Sequence, residues 1–96
     1  KKITPALVIE KVEKFFNLKE NDLKSKTKSK NIAFPRQIAM YIIKEYTELS
    51  LKQIGDSFGG LDHTTVLHGI NKVKNNKDND PTVENVINDL LKDIKD

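Results

Sequence analysis

Apolar residues recur three and four apart along nearly the whole chain, and this spacing predicts helices throughout. The first helix begins at Thr4 as cap with Pro5 at the first helical position, where a missing N–H costs nothing. Val8, Val12, Phe15 and Phe16 give it a buried stripe, and a short helical turn around Glu20 to Leu23 sends Leu18 and Leu23 inward. A further helix runs from about Asn31 or Phe34 to Thr47, with Pro35 in its first turn. Ile38, Ala39, Ile42 and Tyr46 form its core side, while Gln37, Met40 and Lys44 point away. Asp80 caps the last helix with Pro81 at its first position, and Val83, Val86, Ile87, Leu90 and Ile94 form its apolar stripe. Its outer face is acidic, which suits a brace behind the core better than a partner surface.

The stretch from Ser50 to Lys74 departs from this regularity. Ser50 and Gln53 have the spacing of a capping box that starts a short helix. Gly59 and Gly60 can take positive φ at no steric cost, so the chain turns after Phe58. Asp62 then caps a second helix by accepting from the amides of Thr64 or Thr65. On that helix Val66, Leu67, Ile70 and Val73 fall on one side, and Thr64, Thr65, His68 and Lys72 on the other. It continues through Lys74 and dissolves into NNKDND. Two helices joined by a tight glycine turn, the second with small polar residues at its tip, suit a helix laid in a DNA major groove.

Charge sharpens this picture. The net charge is +3, but residues 1 to 77 carry 15 basic and 8 acidic side chains, while residues 78 to 96 carry 2 and 6. A basic body with an acidic end implies an anionic partner met away from the tail. Part of the lysine count fits the Lys/Asp/Asn usage of an A/T-rich genome. The segment KSKTKSKNIAFPR, Lys24 to Arg36, holds five basic residues and no acidic one, with lysines at alternate positions that suggest an irregular loop. Such a loop is ordinarily just solvated; beside a helix-turn-helix the balance tips towards the phosphate backbone or minor groove.

Ninety-six residues suit one domain with a modest core. The absence of cysteine excludes disulfides and thiolate metal sites and fits a reducing cytoplasm. No apolar run approaches the ~20 residues of a membrane helix, and no signal peptide stands at the start. Opening on Lys1 without a methionine reads as an excised piece of a longer protein.

FGGLDHTTVLHGI, preceded by PRQIAMYIIKEYTELSLKQIGDSF, resembles the C-terminal DNA-binding domain of the bacterial replication initiator DnaA. The motifs are strong from about Lys24 to Lys74 and weaker on either side, so nearly the whole chain is covered. The resemblance implies an all-α domain of about six helices, Trp-repressor-like, spanning residues 1–96 with its helix-turn-helix at about 50–74. It implies binding of A/T-rich boxes of the TTATCCACA type at a replication origin. Asp62, His63, Thr64 and Thr65 would then meet bases. Lys26, Lys28 and Lys30 would approach the minor groove or nearby backbone, and Arg36, Gln37, Lys44, Leu51, Lys52 and His68 would meet phosphates. Alternatively Asp62 serves only as a cap, and His68 is a partly buried histidine.

Three positions depart from the family pattern. Lys28 stands where the family inserts an arginine into the minor groove, and an ammonium lacks the planar fork that a narrow groove holds. Leu61 replaces a common basic residue ahead of DHTT, while Lys52 replaces a common proline and restores a charge. At that helix start the amides of Leu51 and Lys52 would bind a phosphate.

Catalysis finds no support in the residues. His63 and His68 are five apart and diverge, unlike a helical zinc pair, and no GxxxxGK[ST] loop exists to hold ATP. Adjacent His63 and Thr64 point about 100° apart and form no nucleophile–base pair. Neither metal nor cofactor is expected here; any ATP-binding or ATPase activity the resemblance implies belongs to another domain of a full-length protein. The expected partner is double-stranded DNA, bound by a monomer in the cytoplasm at the nucleoid, with protein regulators of initiation as further candidates. A helical protein-interaction module is the competing class. Single-strand or RNA binding would show exposed aromatics, whereas the six here mostly fall at core spacing.

Overall fold

A computed structural model of the chain describes residues 2–27 and 29–96. The described residues form five α-helices and one 3₁₀ turn, and no strand. These are α1 (Pro5–Phe15), the 3₁₀ turn (Asp22–Lys24), α2 (Lys30–Tyr46), α3 (Leu51–Ser57), α4 (His63–Asn79) and α5 (Pro81–Lys95). The Thr4 hydroxyl accepts from the Leu7 amide with Pro5 at the first position. Asp80 caps α5 through the Thr82 amide at 2.9 Å. No helix is long and apolar enough to cross a membrane, among the described residues.

The long helix α2 sits at the centre, against α1, α3, α4 and the 3₁₀ turn, while α5 packs on α1 and α4. Six consecutive residues of α2, Ile38 to Ile43, are buried. A helix covered from several directions has no single apolar face. Met40, expected to point outwards, is therefore buried, and the reason lies on α4. A Cβ at Gly69 would stand 2.8 Å from the Met40 Cε and 3.1 Å from the Gln37 Cγ. The bare Gly69 thus leaves room for the end of the Met40 side chain between the two helices.

Other expectations are corrected too. Phe15, Tyr46 and Leu67 are exposed to 39, 41 and 41 % rather than in the core. Phe15 lies at the end of α1 with its ring set edge-on to Phe16, centroids 5.1 Å apart, while Ile9 takes its place inside. Tyr46 ends α2, and its ring carries the Lys95 ammonium 5.0 Å from its centroid. Helix α2 begins at Lys30, so Pro35 lies in the second turn and Lys30 belongs to the helix rather than the loop. The proline removes the donor to the carbonyl of Asn31, an exposed residue that water can serve. Helix α4 runs to Asn79 rather than ending near Lys74, and in its last turn the Asn79 Nδ2 donates to the Asn75 carbonyl at 2.9 Å. Asp80, extended at φ −136° ahead of Pro81, stops it.

Candidate nucleic-acid interface

The tip of α4 is built by its own neighbours in sequence. The Ser50 hydroxyl accepts from the Gln53 amide at 3.1 Å and the Ser50 amide donates to Gln53 Oε1 at 2.9 Å, the complete capping box of α3. Gly59 and Gly60 sit at φ +80° and +87°. The Gly55 carbonyl gathers the amides of Phe58, Gly60 and Leu61 at 3.0 to 3.1 Å and so fixes the turn. Gly55 itself allows this, since a Cβ there would stand 2.1 Å from the Leu61 oxygen. The Thr64 amide then donates to Asp62 Oδ2 at 3.1 Å.

From this base Asp62, His63, Thr64 and Thr65 all project into solvent, and so does His68, which is not buried against the core. Asp62 Oδ1 faces His63 Nδ1 at 3.6 Å, too long for a hydrogen bond but attractive when the imidazole is protonated. Asn71 and Asn75 are exposed further along the line of Thr64 and His68. The seven-residue step from Thr64 to Asn71, two turns of helix, sets this line.

Around the tip the expected phosphate contacts divide. Lys44 is exposed, with its ammonium donating to the Leu49 carbonyl at 3.2 Å, close to the start of α3. Lys52 pairs with Asp56 one turn along, at 3.3 Å. Gln37 is half-buried at the crossing of α2 with α4. Leu51 is half-buried against the core, and with seven residues α3 is too short for a strong terminal dipole, so the lysine side chains carry the positive potential there.

Arg36 lies apart from these exposed groups. It was expected on phosphates, yet it is 8 % exposed. Its Nε donates to the Leu23 carbonyl at 3.0 Å, its Nη1 to Thr27 at 3.1 Å and its Nη2 to Ser25 at 2.6 Å. Burial lowers its pKa from the ordinary value, although a guanidinium keeps its charge at any ordinary pH. The Leu23 carbonyl belongs to the 3₁₀ turn and those of Ser25 and Thr27 to the basic loop that follows, whose Lys24 and Lys26 are exposed; Lys30 is exposed on α2, and Lys28 lies outside the described residues. The loop starts beside the helix-turn-helix, for a Cβ on Gly59 would stand 2.6 Å from the Lys24 oxygen. The polar tip and the root of the loop thus meet at one turn.

The family model of the bacterial DnaA protein helix-turn-helix matches residues 5–73. The chain belongs to this DnaA family. The match covers α1, α2, α3 and about the first two thirds of α4, and stops at Val73. In DnaA this is a DNA-binding domain, so DNA is the partner that membership implies; a small helical domain of this kind is not catalytic.

Proposed function

We propose that this chain recognises A/T-rich, asymmetric DnaA boxes of the TTATCCACA type at a bacterial replication origin, and thereby starts or regulates chromosomal replication. Membership of the DnaA family supports DNA as the target. The observation that carries sequence recognition is the exposed first turn of α4, with two hydroxyls, an imidazole and a carboxylate around one helix tip. In the major groove Thr64 and Thr65 offer hydrogen bonds to base edges and methyl groups to the C5-methyl of thymine. Asp62, with one oxygen on the Thr64 amide, has lone pairs left to accept from a cytosine amino group. His63 donates or accepts according to its tautomer.

Register comes from the surroundings. Lys44, Lys52 and His68 neutralise phosphates while Lys26 and Lys30, with Lys28, approach the neighbouring minor groove. Lys44 and Lys52 have present partners that are exposed and exchangeable, a backbone carbonyl and an i,i+4 carboxylate. With Leu61 in place of a base ahead of the tip, more of the affinity rests on these lysines. The domain binds as a monomer in the cytoplasm, on the nucleoid, and regulators of initiation meet it there.

Titration against a box-containing duplex and a scrambled duplex at two salt concentrations tests this. A preference for the box that persists at the higher salt is expected. Lys44→Ala should weaken both duplexes alike and flatten the salt slope by about one unit. Equal binding of both duplexes by the parent chain overturns base recognition.

A further inference from the structure

We infer that Arg36 is a positioning residue for DNA binding: it fixes the basic loop in register with the turn that presents α4, and does not itself meet a phosphate. The inference deepens the two-groove reading above and rests on it, although its first test does not.

Three anchors on the loop carry the argument. Arg36 takes the carbonyls of Leu23, Ser25 and Thr27, every second residue, so one planar fork holds five successive residues. The chain leaves the 3₁₀ turn at Lys24 and is extended at Ser25, and the residues between the three carbonyls, Lys24 and Lys26, are exposed to solvent. On the other side of the Leu23 residue, its amide donates to Glu13 Oε2 at 3.3 Å, from a glutamate that is itself buried on α1. The third anchor is steric: the Lys24 carbonyl lies where a side chain on Gly59 would begin. The loop is therefore tied to α1, to α2 and to the turn that precedes α4.

This division of labour suits the chemistry of each cation. A lysine in place of Arg36 would bring one compact charge that cannot span three carbonyls. Free in solution, a lysine-rich segment spreads over many conformations, and ordering it on contact would weaken binding. Held in advance, Lys24 and Lys26 reach DNA at a set distance from the tip of α4. Arg36 spends its donors on that arrangement.

Arg36 is the only arginine in the chain, so its side-chain NMR signals are unambiguous. In the free chain the Nε–H is expected to exchange slowly with solvent, and to keep its shift when duplex is added. Fast exchange in the free chain, or a new coupling to phosphorus in the complex, overturns the inference. The second arm is Arg36→Lys, with circular dichroism confirming the fold. Charge is conserved, yet the salt slope should fall by about two as Lys24 and Lys26 lose their hold on phosphates, with at least a tenfold loss of affinity. An unchanged slope would mark Arg36 as a plain phosphate ligand and also overturn the inference. Should this variant not fold, the NMR of the parent decides alone. A parent that binds box and scrambled duplex equally, while Arg36 stays protected, removes the box reading and leaves the clamp standing.

Discussion

The tip of α4 and the basic loop both hold polar groups out to solvent, and they are built by opposite means. Every device behind the tip is local: Asp62 caps from two residues before Thr64, and Gly55, Gly59 and Gly60 shape the turn just upstream. The loop is held from afar, by Glu13 ten residues before Leu23, by Arg36 thirteen after it, and by the α3–α4 turn beyond. A tip made locally can change its side chains, the Asp62 cap apart, without cost to the fold. A loop made by tertiary contacts cannot, since the groups that aim it are buried and unpaired once a partner is removed. Recognition and stability should therefore separate at the tip and coincide at the loop.

The two regions touch at Gly59, where the largest effect is expected. Gly59→Ala adds a strained positive φ to a Cβ driven into the Lys24 oxygen, a combined loss of roughly 2–4 kcal/mol. Gly60→Ala has nothing within 4 Å to meet and should cost only the backbone strain, about 1–2 kcal/mol. Urea midpoints at constant slope measure both. Equal losses would mean that the loop does not bear on the turn. Arg36→Met comes next, at ~2–3 kcal/mol of stability, because charge-assisted bonds go and the Leu23 carbonyl stays buried. Thr64→Ala should leave the urea midpoint within about 0.5 kcal/mol and remove ~1–3 kcal/mol of binding from the box duplex alone. A fall in stability at Thr64 that matched its fall in binding would erase the contrast.

The same contrast explains what could be read from the chain in advance. Caps and glycine turns act over a few residues, and Thr4, Ser50, Asp62 and Asp80 cap as their neighbours dictate. The stripe of α5 was legible because that helix has one buried face, at Val83, Ile87, Leu90 and Ile94. On α2 the same reasoning misplaced Met40, since a central helix packed from several directions has no outer face in its middle. Phe15, Tyr46 and Leu67 were misassigned because phase on the helix says nothing of whether a neighbour arrives to cover a residue. Arg36 was the furthest from reach. Nothing within its helix distinguishes a guanidinium meant for phosphate from one meant for carbonyls thirteen residues back. The DHTT tip, by contrast, declared itself through spacing and family likeness alike, and the chain's DnaA membership bears the latter out.

The smallest effect tests whether the lysines around the tip are as independent as the tip itself. Lys52 and Asp56 are 82 and 61 % exposed and meet at 3.3 Å, a pair worth about 0.3–0.5 kcal/mol between i and i+4. Asp56→Ala should accordingly leave stability nearly untouched. Its effect on binding has the opposite sign to every other substitution considered. Removing the carboxylate frees the Lys52 ammonium and takes a negative charge from beside the incoming phosphates, so affinity should rise, by roughly two- to fivefold at low salt. Because a phosphate contact carries no base information, box and scrambled duplexes should gain equally. The gain should fade near 0.2 M salt, where the Debye length falls below about 8 Å. A gain confined to the box would instead place Lys52 at a base edge. A loss on both would mean that Asp56 holds the ammonium where DNA needs it, making α3, like the loop, a place where an internal partner aims an external contact.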